Sequence, residues 1–228
     1  DDKSGIEAAL QLKEKVGGTV TVLTMGPPQA DVALREALAM GCDDAYLLSA
    51  REFGGSDTCA TAIIISTALK KIGYDLVITG RQAIDGDTAQ VGPQIAEKLG
   101  LPQISYAAEI VKEGNEVTVK RMLEDGYMKI KVQTPCLITC ISDQDSKARY
   151  MTLNGINHCY EKPYLVLDFE ALKDEPLIEL DKIGLKGSPT NIFKSFTPPQ
   201  KGVGTMLEGA DKNTAETLAN ILLEKHVI

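Results

Sequence analysis

Residues 76–93 constrain the fold more than any other part of the chain. They run from an apolar strand, through a turn rich in glycine and aspartate, into a helix that begins near Gln90. A strand that leads through such a turn into a helix is the repeating unit of parallel α/β sheets. Because only glycine takes a positive φ at little steric cost, we expect Gly80 and Gly86 to reverse the chain. Thr88 is expected to cap the helix.

The same turn is where an α/β sheet can hold a phosphate, because free N–H groups and the helix dipole favour an anion there. Asp85 and Asp87 repel an anion, so backbone N–H groups must hold it, with Thr88 and Gln90 as uncharged donors. Arg81 has two interpretations: it neutralises the phosphate, or it pairs with one of the two aspartates. The alternative for the whole segment is an ordinary loop in which Asp and Gly only form the turn.

The pattern up to residue 100 predicts a doubly wound parallel sheet with helices on both faces. The predicted strands are 19–25, 45–48 and 75–79, and the predicted helices are 6–16, 32–40, 58–72 and 90–99. Asp31 is predicted to cap the second helix, and either Asp57 or Thr58 is predicted to start the third. After Gln103, three segments alternate with period two and are separated by turns at 114–115 and 125–126, which predicts an antiparallel excursion. Residues 136–141 return to the core as a buried strand.

Prolines recur along the chain from Asp143 onward, and few segments there show the pattern of a strand. A free-standing chain rarely holds about fifty residues in this way, so a segment that wraps a partner subunit explains the pattern better. Residues 214–225 form a final amphipathic helix. We therefore expect an α/β domain at 1–150 and an extended arm at 151–228.

Composition argues against several classes of function. The chain has 24 Lys and Arg against 32 Asp and Glu, a net charge of −8, and no Trp, which argues against a nucleic-acid partner. No apolar run reaches about 20 residues, so no membrane insertion is expected. With no secretory leader and no Cys-x-x-Cys pair, the five cysteines are expected to be reduced thiols of a cytoplasmic protein.

No metal site and no catalytic side chain are predicted. Cys136 and Cys140 lie an even number of residues apart and share one face of a strand, but two ligands do not make a metal site. His158 and His226 have no Ser or Cys partner in a recognisable nucleophile motif.

The turn at 80–92 resembles the signature loop of the beta subunit of electron-transfer flavoprotein. Segments 24–29, 34–41, 149–153, 188–190 and 196–199 resemble the same family in order and spacing, and the similarity runs along nearly all 228 residues. The family begins with a strand and a loop ahead of the first helix, so we expect a first strand before residue 1 that is missing from the sequence.

The resemblance implies two sets of site residues. The implied nucleotide contacts are Met25, Gly80, Arg81, Asp85, Gly86, Asp87, Thr88, Ala89, Gln90, Val91 and Gly92. The implied partner contacts, in the family's recognition loop, are Arg149, Tyr150, Leu153, Asn154, Ile156 and Tyr160. Met25 has an alternative interpretation as a core methionine.

Departures within the family pattern indicate the type of member. Mitochondrial-type members carry several lysines in the recognition loop, whereas this chain has Lys162 alone, and residues 85–88 resemble flavin-bifurcating members. The resemblance then implies FAD in the pocket, with AMP as the alternative, and NADH as the electron donor. One electron would pass through the alpha-subunit FAD to or from an acyl-CoA dehydrogenase, and the other to ferredoxin or flavodoxin.

Two alternatives stay open. The chain is the beta subunit of a non-bifurcating carrier with structural AMP, or it is a nucleotide-sensing regulatory domain on the same fold. The first predicts one FAD and one AMP in a heterodimer, and the second predicts a monomer or homodimer without the long arm.

Overall fold

The computed structural model describes residues 1–142, 147–200, 202 and 204–227. Asp143, where the proline-punctuated part is predicted to begin, lies outside these ranges. The chain forms two compact units, Asp1–Asn191 and Ile192–Ile228. The first unit therefore runs beyond residue 150, where the sequence suggested a division.

Up to Cys140, the helices and strands of the first unit follow the order that the sequence predicts, and short elements that it did not predict come after Cys140. The helices are α1 (Asp2–Val16), α2 (Asp31–Met40), α3 (Thr58–Ile72), α4 (Val91–Leu99), α5 (Leu153–His158), α6 (Phe169–Leu172) and α7 (Gly184–Gly187). The strands are β1 (Thr21–Met25), β2 (Asp44–Leu48), β3 (Leu76–Gly80), β4 (Gln103–Glu113), β5 (Glu116–Leu123), β6 (Gly126–Gln133), β7 (Cys136–Cys140) and β8 (Leu165–Leu167).

The strands form two sheets, one with the order β1-β2-β8 and one with the order β3-β7-β4-β5-β6. The first sheet is parallel throughout, and β3, β7 and β4 run parallel in the second. The antiparallel excursion is β4-β5-β6. The α/β fold class is thus confirmed, and β8 adds a strand that the sequence pattern did not reveal.

Strand β7 shows why helices cover both faces of the second sheet. All five of its residues are buried. Cys136 and Ile138 pack with Leu12 of α1, whereas Leu137 packs with Ile95 of α4 on the opposite face. A mostly apolar sequence, interrupted here by Thr139, is typical of a strand that is covered on both faces.

Two of the buried cysteines share the α1 face of β7, as their even spacing predicts. Burial raises the pKa of the Cys140 thiol to about 12 and also raises the pKa of Cys136, so both thiols are neutral core groups. Among the described residues, no three side chains of His, Cys, Asp or Glu come together as metal ligands would.

The predicted cap of α2 differs in the structure. Helix α2 begins at Asp31 itself, after a 3-10 turn at Pro28–Ala30. Pro28 favours that turn because its fixed φ suits a first helical position. Helix α3 begins at Thr58, one of its two predicted starts, and Asp57 caps it by accepting a hydrogen bond from the Ala60 N–H at 3.0 Å.

Helix α8 (Lys212–Glu224) lies in the second unit, close to the predicted amphipathic segment. Asp211 caps it by accepting a hydrogen bond from the Thr214 N–H. Large apolar side chains of this unit are exposed, namely Ile192, Phe193, Phe196, Met206, Leu218, Leu223 and Val227. In the ranges that the structure describes, no helix combines the length and apolar character that crossing a membrane demands.

Candidate functional site

The candidate nucleotide site lies at the carboxyl ends of the parallel strands. In such sheets ligands bind beyond these ends, in the loops that lead into the helices. Strand β1 ends at Met25, β2 at Leu48 and β3 at Gly80. The loop at 81–90, with most of the predicted contacts, follows β3, and its residues 83–88 are all exposed to solvent.

The chain reversal in this loop does not depend on its glycines. Neither Gly80 nor Gly86 has a positive φ; Asp87 and Ala89 have it instead, at 50° and 53°. The prediction for the two glycines was therefore wrong. Aspartate tolerates this conformation because its side chain bonds locally, and Asp87 accepts a hydrogen bond from Gln82. The side chain of Ala89 cannot form such a bond, so its positive φ strains the backbone. Backbone strain clusters at ligand sites.

Gly80 has a different reason to be glycine. A Cβ placed on it would lie 2.8 Å from the backbone nitrogen of Asp2, at the start of α1. The small residue therefore lets the end of β3 pass close to that helix.

Helix α4 starts without a side-chain cap. Gln90, not Thr88, is the N-cap residue, and its side chain makes no capping bond. Thr88 was predicted as the cap, which is wrong because the helix begins three residues later, at Val91. In the described part of the chain, the N–H groups of Val91 and Gly92 have no acceptor, and Pro93 has no N–H. An uncapped first turn is suited to an anion.

Gly92 brings the start of α4 against the sheet. A Cβ on Gly92 would lie 2.8 Å from Thr139 Cγ2 and 2.9 Å from Thr79 Oγ1. The side chain of Thr139 is buried on β7, and Thr79 lies near the end of β3. The position of the uncapped turn thus depends on a residue without a side chain.

Arg81 does not pair with either aspartate of the loop. Its Nε lies 3.2 Å from Asp1 Oδ2, and its guanidinium carbon lies 5.9 Å from the centre of the Tyr106 ring. The interpretation in which Arg81 pairs with Asp85 or Asp87 is therefore not what the structure shows.

Met25 lies half-buried at the end of β1, beside the core cluster that contains Leu48, Phe53 and Ile64. Its position at the carboxyl edge agrees with the expected nucleotide contact, and its packing agrees with the core alternative.

The loop that the resemblance assigns to partner recognition, residues 149–162 (the recognition loop), is held on α2 by an arginine that sequence reasoning did not single out as functional. Arg35 donates hydrogen bonds from Nη1 to the carbonyl oxygens of Cys159 and Lys162, at 2.5 Å and 2.6 Å. Its guanidinium carbon also lies 5.5 Å and 4.9 Å from the ring centres of Tyr160 and Tyr164. These contacts join residues more than 120 positions apart, so no local pattern could reveal that Arg35 holds the loop. The sequence showed only that the segment around Arg35 resembles the family.

Apolar side chains of this loop face the solvent. Tyr150 is 96% exposed, Leu153 is 82% exposed and Tyr160 is 73% exposed, while Ile156 and Asn154 are also exposed. Exposed apolar groups on a loop with fixed backbone are typical of a protein-binding surface.

Arg149, the first of the predicted partner contacts, forms ion pairs within its own chain. Its Nε lies 2.8 Å from Glu7 Oε2, and its Nη1 lies 2.5 Å from Glu14 Oε1. Hydrogen bonds from Arg149 lower the pKa of the Glu7 carboxyl to about 2. Arg149 therefore ties the start of the recognition loop to α1.

This ion pair predicts a loss of stability in acid. The carboxylate of Glu7 contributes stability above its unfolded pKa of about 4.5, and that contribution disappears as the pH falls towards 2. We expect Glu7→Gln to lower the free energy of unfolding by about 3 kcal/mol at pH 7, and the difference from wild type to shrink below pH 4.5. Urea unfolding at pH 7, 5 and 4 measures it. Glu14→Gln, at an exposed position, is the control, and an equal loss there would contradict the assignment.

The chain is similar to one known protein family and to several known proteins. Residues 2–152 match the family "Electron transfer flavoprotein domain". The "Acryloyl-CoA reductase electron transfer subunit gamma" of Anaerotignum propionicum is 69% identical over 231 residues, covering 100% of this chain and 86% of that protein. The "Electron transfer flavoprotein subunit beta" of Thermoanaerobacterium thermosaccharolyticum and the "Caffeyl-CoA reductase-Etf complex subunit CarD" of Acetobacterium woodii are each 48% identical, with the same coverages.

Proposed function

The chain belongs to the electron transfer flavoprotein family, as a relative of its beta subunits, and from that premise we propose that it binds FAD in a flavin-bifurcating complex. NADH is the electron donor in this proposal. Electrons pass through the alpha-subunit FAD to or from an acyl-CoA dehydrogenase, and to ferredoxin or flavodoxin. The names of two relatives, which place them with acryloyl-CoA and caffeyl-CoA reductases, support a dedicated partner of this kind.

The observation that carries the nucleotide assignment is the uncapped start of α4 beside an exposed loop. The N–H groups of Val91 and Gly92 can donate to a phosphate without burying a charge. Gln90 and the hydroxyl of Thr88 add uncharged donors next to them. Asp87 is engaged by Gln82, which reduces the repulsion that two free aspartates would exert.

FAD, when bound, supplies the redox chemistry, and this chain supplies binding and orientation. The strained backbone at Ala89 and the uncapped turn of α4 hold the phosphates, and no side chain is assigned as acid, base or nucleophile. Residues 192–228 and the recognition loop are proposed to contact the alpha subunit and the dehydrogenase.

The alternative is a non-bifurcating carrier with structural AMP. The family match supports it equally, because AMP and FAD share the adenosine phosphate that the loop would hold. The nucleotide-sensing regulatory domain has less support, since residues 2–152 match the electron transfer flavoprotein domain.

The test is the nucleotide content of the complex purified with its alpha subunit. The complex is denatured, and the released small molecules are measured by absorbance and mass. Two FAD and no AMP per heterodimer support the proposal, one FAD and one AMP support the carrier, and neither nucleotide would leave the site assignment wrong.

Thr88 offers a test of the loop that leaves the fold intact. Thr88 is exposed and caps no helix, so Thr88→Leu should not change the free energy of unfolding. The loss of its hydroxyl should lower the affinity for the nucleotide about five-fold. Thr19→Leu, at an exposed position just before β1, is the matched control. Equal nucleotide affinities in both variants and wild type would argue against Thr88 as a ligand.

A further inference from the structure

Three polar side chains link the start of α3 to the start of α4. Gln94 Nε2 donates to Thr58 Oγ1 at 3.5 Å, and Thr58 Oγ1 donates to Gln90 Oε1 at 3.1 Å. In this arrangement the Thr58 hydroxyl accepts from Gln94 and donates to Gln90, so the hydrogen bonds run from Gln94 through Thr58 to Gln90. Helix α3 follows β2 of the first sheet and α4 follows β3 of the second, so these hydrogen bonds join helices that follow strands of different sheets.

The direction of these bonds decides which end of the Gln90 amide is available. With Oε1 occupied by the Thr58 hydroxyl, the free end is the Nε2 amino group, which only donates. Gln90 is exposed and precedes Val91 and Gly92, whose N–H groups have no acceptor among the described residues. An amide in the opposite orientation would present its oxygen to the same place and would repel a phosphate.

Thr58 itself is fixed by its neighbour. Asp57 Oδ1 accepts from the Ala60 N–H and Asp57 Oδ2 from the Thr190 N–H at 2.9 Å, and the Asp57 N–H donates to Ser188 Oγ at 2.8 Å. The backbone just before Thr58 is therefore held on both sides. This rigidity makes the Thr58 hydroxyl a stable reference point for the Gln90 amide.

The Gln94 end of this series of hydrogen bonds is incomplete. Gln94 Oε1 is buried and has no donor within the ranges that the structure describes. Buried polar atoms are nearly always paired, so an unpaired acceptor beside the loop is consistent with a site that a ligand or water completes.

We propose that Thr58 is a positioning residue for the nucleotide: its hydroxyl orients the Gln90 amide so that Nε2 faces the phosphate. The inference rests on the proposed function of the loop and adds a residue from outside it. Thr58 does not itself need to touch the nucleotide.

The experiment measures the dissociation constants of FAD and of AMP for the apo complex of both subunits. Thr58→Val removes the hydroxyl at nearly constant shape, and we expect both constants to rise about five-fold. Thr58→Ser keeps the hydroxyl and should restore the wild-type values. Thr61→Val, one turn further along the same helix, is the control for a β-branched apolar residue in α3 and should change neither constant.

A double variant separates positioning from simple structural damage. If Thr58 acts through Gln90, then Thr58→Val has no further effect in a Gln90→Ala background. An additive loss in the double variant would overturn the inference, and so would a loss for Gln90→Ala with none for Thr58→Val. If Gln90→Ala leaves both affinities unchanged, the nucleotide assignment of the loop itself is wrong.

Discussion

Replacement of Gly92 by valine is expected to empty the nucleotide site and to destabilise the first unit. The new Cβ would lie within 3.0 Å of both Thr139 Cγ2 and Thr79 Oγ1. Thr139 lies on β7 and Thr79 on β3, and both strands are packed within the second sheet. The start of α4 therefore has to move to relieve the clash. Overpacking of this kind costs about 1–3 kcal/mol, and the displaced N–H groups should weaken nucleotide binding more than about ten-fold.

Nucleotide content of the purified complex and urea unfolding of the same sample measure the two effects of Gly92→Val. Gly126→Val is the matched control, because a Cβ on Gly126 meets no atom within 4 Å and its φ is not positive. Wild-type nucleotide content in Gly92→Val would show that the start of α4 does not hold the phosphate.

The order of strands and helices up to Cys140 could be predicted because the buried faces of these elements impose a periodic pattern of apolar residues on the sequence. Strand β7 is apolar except for Thr139 since both of its faces are covered, and the excursion alternates since fewer of its residues are buried. Strand β8 escaped prediction because it has three residues, too few to show a period.

The conformation of the loop at 81–90 could be predicted only in outline. Glycine is the usual signal for a positive φ, and here Asp87 and Ala89 adopt it while Gly80 and Gly86 do not. Local residue preferences cannot reveal that Gly80 serves a close approach to α1, because this contact depends on the packing of the whole unit.

Contacts between distant residues account for the rest of what the sequence did not show. Arg149 appeared as a free partner contact, yet Glu7 and Glu14 lie more than 130 residues away and hold its guanidinium. Arg35 likewise reaches the recognition loop across the chain. No periodicity marks such pairs, so the family resemblance located the loop and only the structure explains how it is held.

The second large effect is expected at the exposed residues of the recognition loop. Tyr150 and Leu153 are the two most exposed large apolar residues between Arg149 and Tyr164, and no packing among the described residues explains them. If they contact the acyl-CoA dehydrogenase, the double variant Tyr150→Ser/Leu153→Ser should raise the partner concentration needed for half-maximal electron transfer by about thirty-fold. Nucleotide content and the free energy of unfolding should stay unchanged, because neither side chain is buried.

The control for this variant uses the same residue types elsewhere on the surface. Tyr127 and Leu123 are 57% and 42% exposed on the antiparallel excursion, so Tyr127→Ser/Leu123→Ser removes comparable apolar side chains. Steady-state electron transfer at varied dehydrogenase concentration compares the two. A loss confined to the first pair assigns partner recognition to the loop that Arg35 and Arg149 fix in place. An equal loss in both pairs would instead mean that general surface apolarity drives the association.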